Sequence, residues 1–77
     1  MLSDETRTDA FTDFVSEVES KLRRALTGAL GADLGREAVA EALAYGWEHW
    51  GRVSVMDNPA GYLYRVGVNH GRNARRR

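Results

Sequence analysis

The stretch Asn58-Pro59-Ala60-Gly61-Tyr62-Leu63-Tyr64-Arg65-Val66-Gly67-Val68-Asn69-His70-Gly71-Arg72-Asn73-Ala74-Arg75-Arg76 decides the fold class. Asn58 is a residue type that caps helix N-termini, and Pro59 stands at the first helical position, where its fixed φ fits and its missing N–H is no loss. Beyond them Leu63, Val66, Gly67, His70 and Ala74 form one stripe when each residue advances about 100° around a helical axis. Arg65, Asn69, Arg72 and Arg76 repeat at steps of four, three and four on the opposite face. A strand would alternate residue by residue, so this is a helix over 58–76 with one side to pack and one to show. Tyr62 borders the arginine row, and Tyr64 sits farther round. Gly67 and Gly71 are expected to weaken the helix by up to about 1 kcal/mol each relative to alanine.

Two more helices precede it. Phe11, Phe14, Val15, Val18, Leu22, Leu26 and Leu30 recur at helical intervals, which predicts a helix over 8–30 with Thr8 as N-cap, Gly31 as its end and residues 1–8 as a flexible N-terminus. Asp33 is the next expected cap. From it Val39, Leu43, Trp47 and Trp50 fall in one arc, predicting a helix over 33–50 that buries this arc and stops at Gly51, with both tryptophans as core anchors. Glu37, Ala40, Glu41, Ala44 and Glu48 lie on its other side. Residues 51–58 lack a period and read as a loop. The expected fold is therefore all-α, a compact three-helix bundle in a single domain spanning residues 1–77.

Composition narrows the function. A chain of 77 residues, 43% of them hydrophobic, suits one small globular core whose stability is expected to be marginal. There is no cysteine, which excludes disulfides and thiolate metal sites. Residues 1–13 carry four acids, unlike the basic start of a signal peptide, and no apolar run approaches a membrane span, so a cytoplasmic location without membrane contact is expected. Charge is divided along the chain. Residues 1–50 hold five basic and ten acidic side chains, whereas residues 51–77 hold six arginines against Asp57 alone. Two partners of opposite charge are implied, with arginine forks suited to phosphate.

Catalysis finds little support. Ser3, Ser16, Ser20 and Ser54 have no histidine and acid spaced to activate them, and Glu48 and His49 are adjacent on a helix and point apart. His70 lies on the apolar stripe without a second ligand at helical spacing, so no metal and no cofactor are expected. The row of Arg65, Asn69, Arg72 and Arg76 beside Tyr62 is different in kind. It combines phosphate contacts, an amide able to read a base edge, and a ring on which an unstacked base could lie. The glutamate stripe, with Ala40 and Ala44 between its charges, suits close approach by a basic protein element.

The stretch Arg36-Glu-Ala-Val-Ala-Glu-Ala-Leu-Ala-Tyr-Gly-Trp-Glu-His-Trp-Gly-Arg-Val53, followed by Asn58-Pro59 and then Tyr62-Leu-Tyr-Arg-Val-Gly-Val-Asn69, resembles region two of bacterial sigma factors of the extracytoplasmic-function type. The likeness runs from about Phe11 to Arg76. It implies a helical module that docks on the β′ clamp coiled coil of core RNA polymerase and binds the promoter minus-ten element as it melts, capturing the non-template single strand without a covalent step. Glu37, Ala40, Glu41, Ala44 and Glu48 would then be docking positions. Tyr62, Arg65, Asn69, Arg72 and Arg76 would face DNA, and the loop Val53, Ser54, Val55, Met56, Asp57 and Asn58 would accept an extruded base. An anti-sigma factor is a further partner the resemblance admits. Departures are Ala40 where the family usually has glutamine, Glu37 for aspartate, Tyr62 where tryptophan is common, and Gly67 for alanine. The chain also ends at Arg77 without a linker and second helix-turn-helix domain, which leaves open a sigma-like decoy that occupies the clamp without opening DNA.

Overall fold

A computed structural model describes residues 4–76 of the chain. Four helices follow one another: α1 (Asp4–Leu30), α2 (Ala32–Glu48), the single turn α3 (Trp50–Val53) and α4 (Pro59–Arg75). Among the described residues there is no strand. α1, with 27 residues, is about 40 Å long at 1.5 Å per residue, and it sets the longest dimension of the 40 × 22 × 21 Å molecule. α2 and α4 pack against it and against each other. No helix among the described residues is long and apolar enough to cross a membrane.

The helix boundaries differ from the sequence expectation in ways that have causes. α1 begins at Asp4, so Thr8 is not its N-cap and residues 4–8 are helical; the rest of the expected flexible terminus, residues 1–3, lies outside the described residues. Asp33 does not cap α2 either. Gly31 does both jobs at that corner: its N–H donates to the Thr27 carbonyl at 2.8 Å, closing α1, and its carbonyl accepts from Gly35 N–H at 2.8 Å, opening α2. This needs φ of +91°, which glycine adopts without a Cβ penalty. Asp33 instead sits in the first turn, paired with Arg36 at 3.0 Å on the surface, where such a pair contributes little. α2 ends at Glu48, with His49 as its C-cap, and not at Gly51. The break turns the next residues inward as α3, so that Trp50 and Val53, three apart, are both buried in a segment whose later part was expected to be loop.

The buried face of α2 overlaps the expected arc only at Val39. Gly35, Ala38, Val39, Ala42 and Gly46 are its buried residues, whereas Leu43 is half-buried and Trp47 is 40% exposed. The cause is helix separation: a row of small residues lets the backbones close, and leucines from the neighbours fill the seats. Leu22, Leu26 and Leu30 of α1 and Leu63 of α4 are all buried, each stabilising by roughly 1.5–3 kcal/mol. Gly67 belongs to the same device. A Cβ there would lie 2.7 Å from Leu26 Cδ1 and 3.3 Å from the Ala38 carbonyl oxygen. Its helix-weakening tendency is thus the other side of a close approach.

At one end of the bundle Phe11 and Phe14 meet Trp50 with ring centroids 5.3 and 5.0 Å away. Trp50 is therefore the anchor the sequence suggested. Trp47 packs its ring 5.5 Å from Phe11 and is roofed by the Arg7 guanidinium, 4.9 Å above the ring, which also donates to the Trp47 carbonyl at 2.6 Å. At the other end Arg75 crosses from α4 to donate to the Leu30 carbonyl at 2.7 Å, satisfying an orphan acceptor where α1 stops. One arginine of the C-terminal run is thereby given to structure.

Candidate functional site

α4 is set by its start. Asn58 Oδ1 accepts from Gly61 N–H at 3.0 Å and Pro59 occupies the first helical position, as the sequence indicates. With Leu63, Gly67 and Gly71 buried, the helix is rotationally fixed, and Arg65, Asn69, Arg72 and Arg76 are left exposed along its outer face. Among the described residues none of these three arginines is paired with a carboxylate. Tyr64, Arg65, Val68, Asn69 and Arg72 line a shallow groove of about 290 Å³. Two free guanidiniums, an amide and an aromatic ring around one groove can take phosphate oxygens, a base edge and a base face together.

The ring in that groove is Tyr64. Tyr62 turns to α2, where its hydroxyl lies 3.2 Å from that of Tyr45 and its ring is 6.0 Å away. Arg52 of α3 hydrogen-bonds the same Tyr45 hydroxyl, and the His49 ring meets the Tyr45 ring at a tilt of 42° with centroids 4.2 Å apart. The Tyr62 hydrogen bond, with burial behind it, raises the Tyr45 phenol above its ordinary pKa of 10.0, although the Arg52 charge pulls the other way. This cluster ties α3 to α2 and α4. Sequence spacing placed Tyr62 beside the arginines because it is about 60° from Arg65 on the helical wheel; the partner phenol on α2 could not be read from one helix.

Glu37, Ala40, Glu41, Ala44 and Glu48 are all exposed on α2. They do not form a surface remote from the arginine row. Glu41, Ala44 and Glu48, with Tyr45, face Val66, Asn69, His70 and Asn73 of α4 across a groove of about 390 Å³. Asn69 lines both this groove and the arginine groove. Glu37 is engaged by His70, whose Nε2 is 3.0 Å from Oε1. His70 is thus a half-buried bridge between α4 and α2, with a partner 33 residues away that helical spacing alone could not name. Glu41 and Glu48 have no cationic partner among the described residues.

The segment 53–58 divides. Val53 is fully buried and Met56 packs on the core, while Ser54, Val55, Asp57 and Asn58 are exposed, Val55 to 80%. None of the six lines any of the grooves described above. No protein family, curated protein or solved structure matches this chain. What the site can do rests on its own chemistry: an arginine and amide face beside a tyrosine, and beside it a face on which Glu41 and Glu48 are unpaired among the described residues.

Proposed function

We propose that the chain is a non-catalytic binding module of sigma region-two character, which docks by α2 on a basic element of core RNA polymerase and holds single-stranded promoter DNA by α4. The observation that carries this reading is the groove of Arg65, Asn69, Arg72 and Tyr64, exposed and free of competing carboxylate partners among the described residues. The unpaired Glu41 and Glu48 support a basic protein partner for α2, and the motif order quoted from Arg36 to Asn69 supplies the family. The polymerase and the minus-ten element come from that resemblance, and the cytoplasmic setting is the expectation from composition.

Two measurements test it. Core polymerase should retain the chain, and Glu41→Arg should abolish retention; retention unaffected by the reversal refutes docking through this face. A single-stranded minus-ten oligonucleotide should bind with a log–log salt slope of roughly −0.7 per phosphate contacted, and a salt-independent signal refutes the arginine groove. A second reading, the clamp-occupying decoy, draws support from the placement of Glu41 and Glu48 on the groove that Asn69 also lines, since carboxylates there repel phosphate. Abortive transcription separates the two: a decoy inhibits other sigma factors and never initiates RNA.

A further inference from the structure

Between α1 and the first turns of α4 lies a third groove, of about 360 Å³. Val18 and Leu22 line it from α1, and Ala25, Ala60 and Gly61 leave it open by being small. Gly61 has a structural reason to be small, because a Cβ there would meet the capping side chain of Asn58. Ala25 is exposed and Ala60 half-buried. One wall is Tyr64, which also lines the arginine groove, so the two depressions adjoin across a single ring.

We propose that this slot receives an unstacked base of the strand whose phosphates lie on Arg65 and Arg72. The proposal rests on the single-strand reading above, and it moves the base from the Val53–Asn58 loop to the α1–α4 side of Tyr64. Size and chemistry select the occupant. A peptide helix is 10–12 Å across and needs a long trough, whereas a slot of this volume, apolar on its floor and aromatic on one wall, suits a flat heterocycle. Charge sets its orientation. Glu17 on the rim repels phosphate but accepts hydrogen bonds from exocyclic amino groups, and Lys21, one turn along, donates to base carbonyls or to the flanking phosphate. The backbone therefore stays on the arginine side while the base crosses the ring.

The test uses the full 77-residue chain and single-stranded DNA oligonucleotides, intact or with one abasic position moved along the strand, with binding read by fluorescence anisotropy. One abasic position should weaken binding by about tenfold, within the range that base–aromatic stacking supplies. Ala25→Leu, at an exposed site where leucine keeps the helix, fills the slot and should erase that penalty, as should Tyr64→Leu; Tyr64→Phe should retain it. Arg72→Ala should weaken every oligonucleotide alike, reduce the salt slope by about 0.7, and keep the penalty. If Ala25→Leu and Tyr64→Leu leave the abasic penalty intact, or Val55→Asp alone removes it, the base sits elsewhere and the proposal falls. Salt-dependent binding with no abasic penalty at any position overturns the slot and leaves the arginine groove standing. No binding to any oligonucleotide overturns both.

Discussion

Replacing Gly35 and Gly28 with alanine, one at a time, should shift stability in opposite directions. In isolation each change favours the helix, by up to about 1 kcal/mol. At Gly28, near the end of α1, a Cβ meets nothing within 4 Å, so about 0.5 kcal/mol of that gain should be realised. At Gly35 the new Cβ would stand 2.6 Å from Thr27 Cα and 2.8 Å from Thr27 N. Carbon contacts relax near 3.5–4.0 Å, and Thr27 Cα is backbone that cannot rotate away, so α1 and α2 must separate by roughly 1 Å. Overpacking of this kind costs about 1–3 kcal/mol. Because the clash is with backbone, the cost lies in the upper part of that range, and the net loss at Gly35 is roughly 1–2 kcal/mol after a propensity gain of up to about 1 kcal/mol. For a domain of this size 1 kcal/mol moves Tm by about 4–8 °C. Gly35→Ala should lower Tm by roughly 5–15 °C, and Gly28→Ala should raise it by about 2–4 °C, followed by far-ultraviolet circular dichroism. Urea unfolding should show a changed midpoint with an unchanged slope. A Gly35→Ala protein as stable as the parent would refute the claim that small residues on α2 are seats for a close backbone approach.

Two further outcomes follow from the contacts described. Arg75→Gln should lose about 1 kcal/mol through the unsatisfied Leu30 carbonyl, seen in thermal melts, while oligonucleotide binding keeps the parent salt slope; a reduced slope with unchanged Tm would place Arg75 among the phosphate contacts instead. Tyr45, held above 10.0 first by the Tyr62 hydrogen bond, should appear in an ultraviolet phenolate titration as a late-ionising tyrosine. Because its folded pKa is raised, its contribution to stability is present below the unfolded value of about 10 and is lost as pH rises through the folded value. Tyr62→Phe should return the titration toward the ordinary range, and an unmoved titration would exclude the Tyr62 hydroxyl as the cause.

Much of the α4 description was legible because it depends on local chemistry. Asn58, Pro59 and the stripe through Leu63 and Gly67 fix both the start and the rotation of the helix, so the exposure of Arg65, Asn69 and Arg72 follows from one segment. α2 was less legible, since hydrophobicity ranks Leu43 and Trp47 above Gly35 and Ala38, yet a helix that must approach two neighbours closely buries its smallest side chains. The end of α1 at Gly31 was legible, but that the same glycine also opens α2, and that α2 breaks at His49 to bring Trp50 inward, was not, because both depend on how neighbouring helices meet. The relation between the two charged faces was not legible at all. Asn69 and the Glu37–His70 bridge join them only after α2 and α4 lie side by side.

The single residue that joins α1 to α2 also bears on how the chain finds its fold. Leu30 and Ala32 are held within one glycine of each other, so zipping the hairpin demands almost no loop closure, whereas α4 reaches its place only after residues 49–58 have been spanned. We expect the transition state to be polarised accordingly, with φ-values from conservative truncations higher in α1 and α2 than in α4. Equal values across the three long helices would contradict that order. On this view the helix carrying the arginine row is the last to dock and the first to leave.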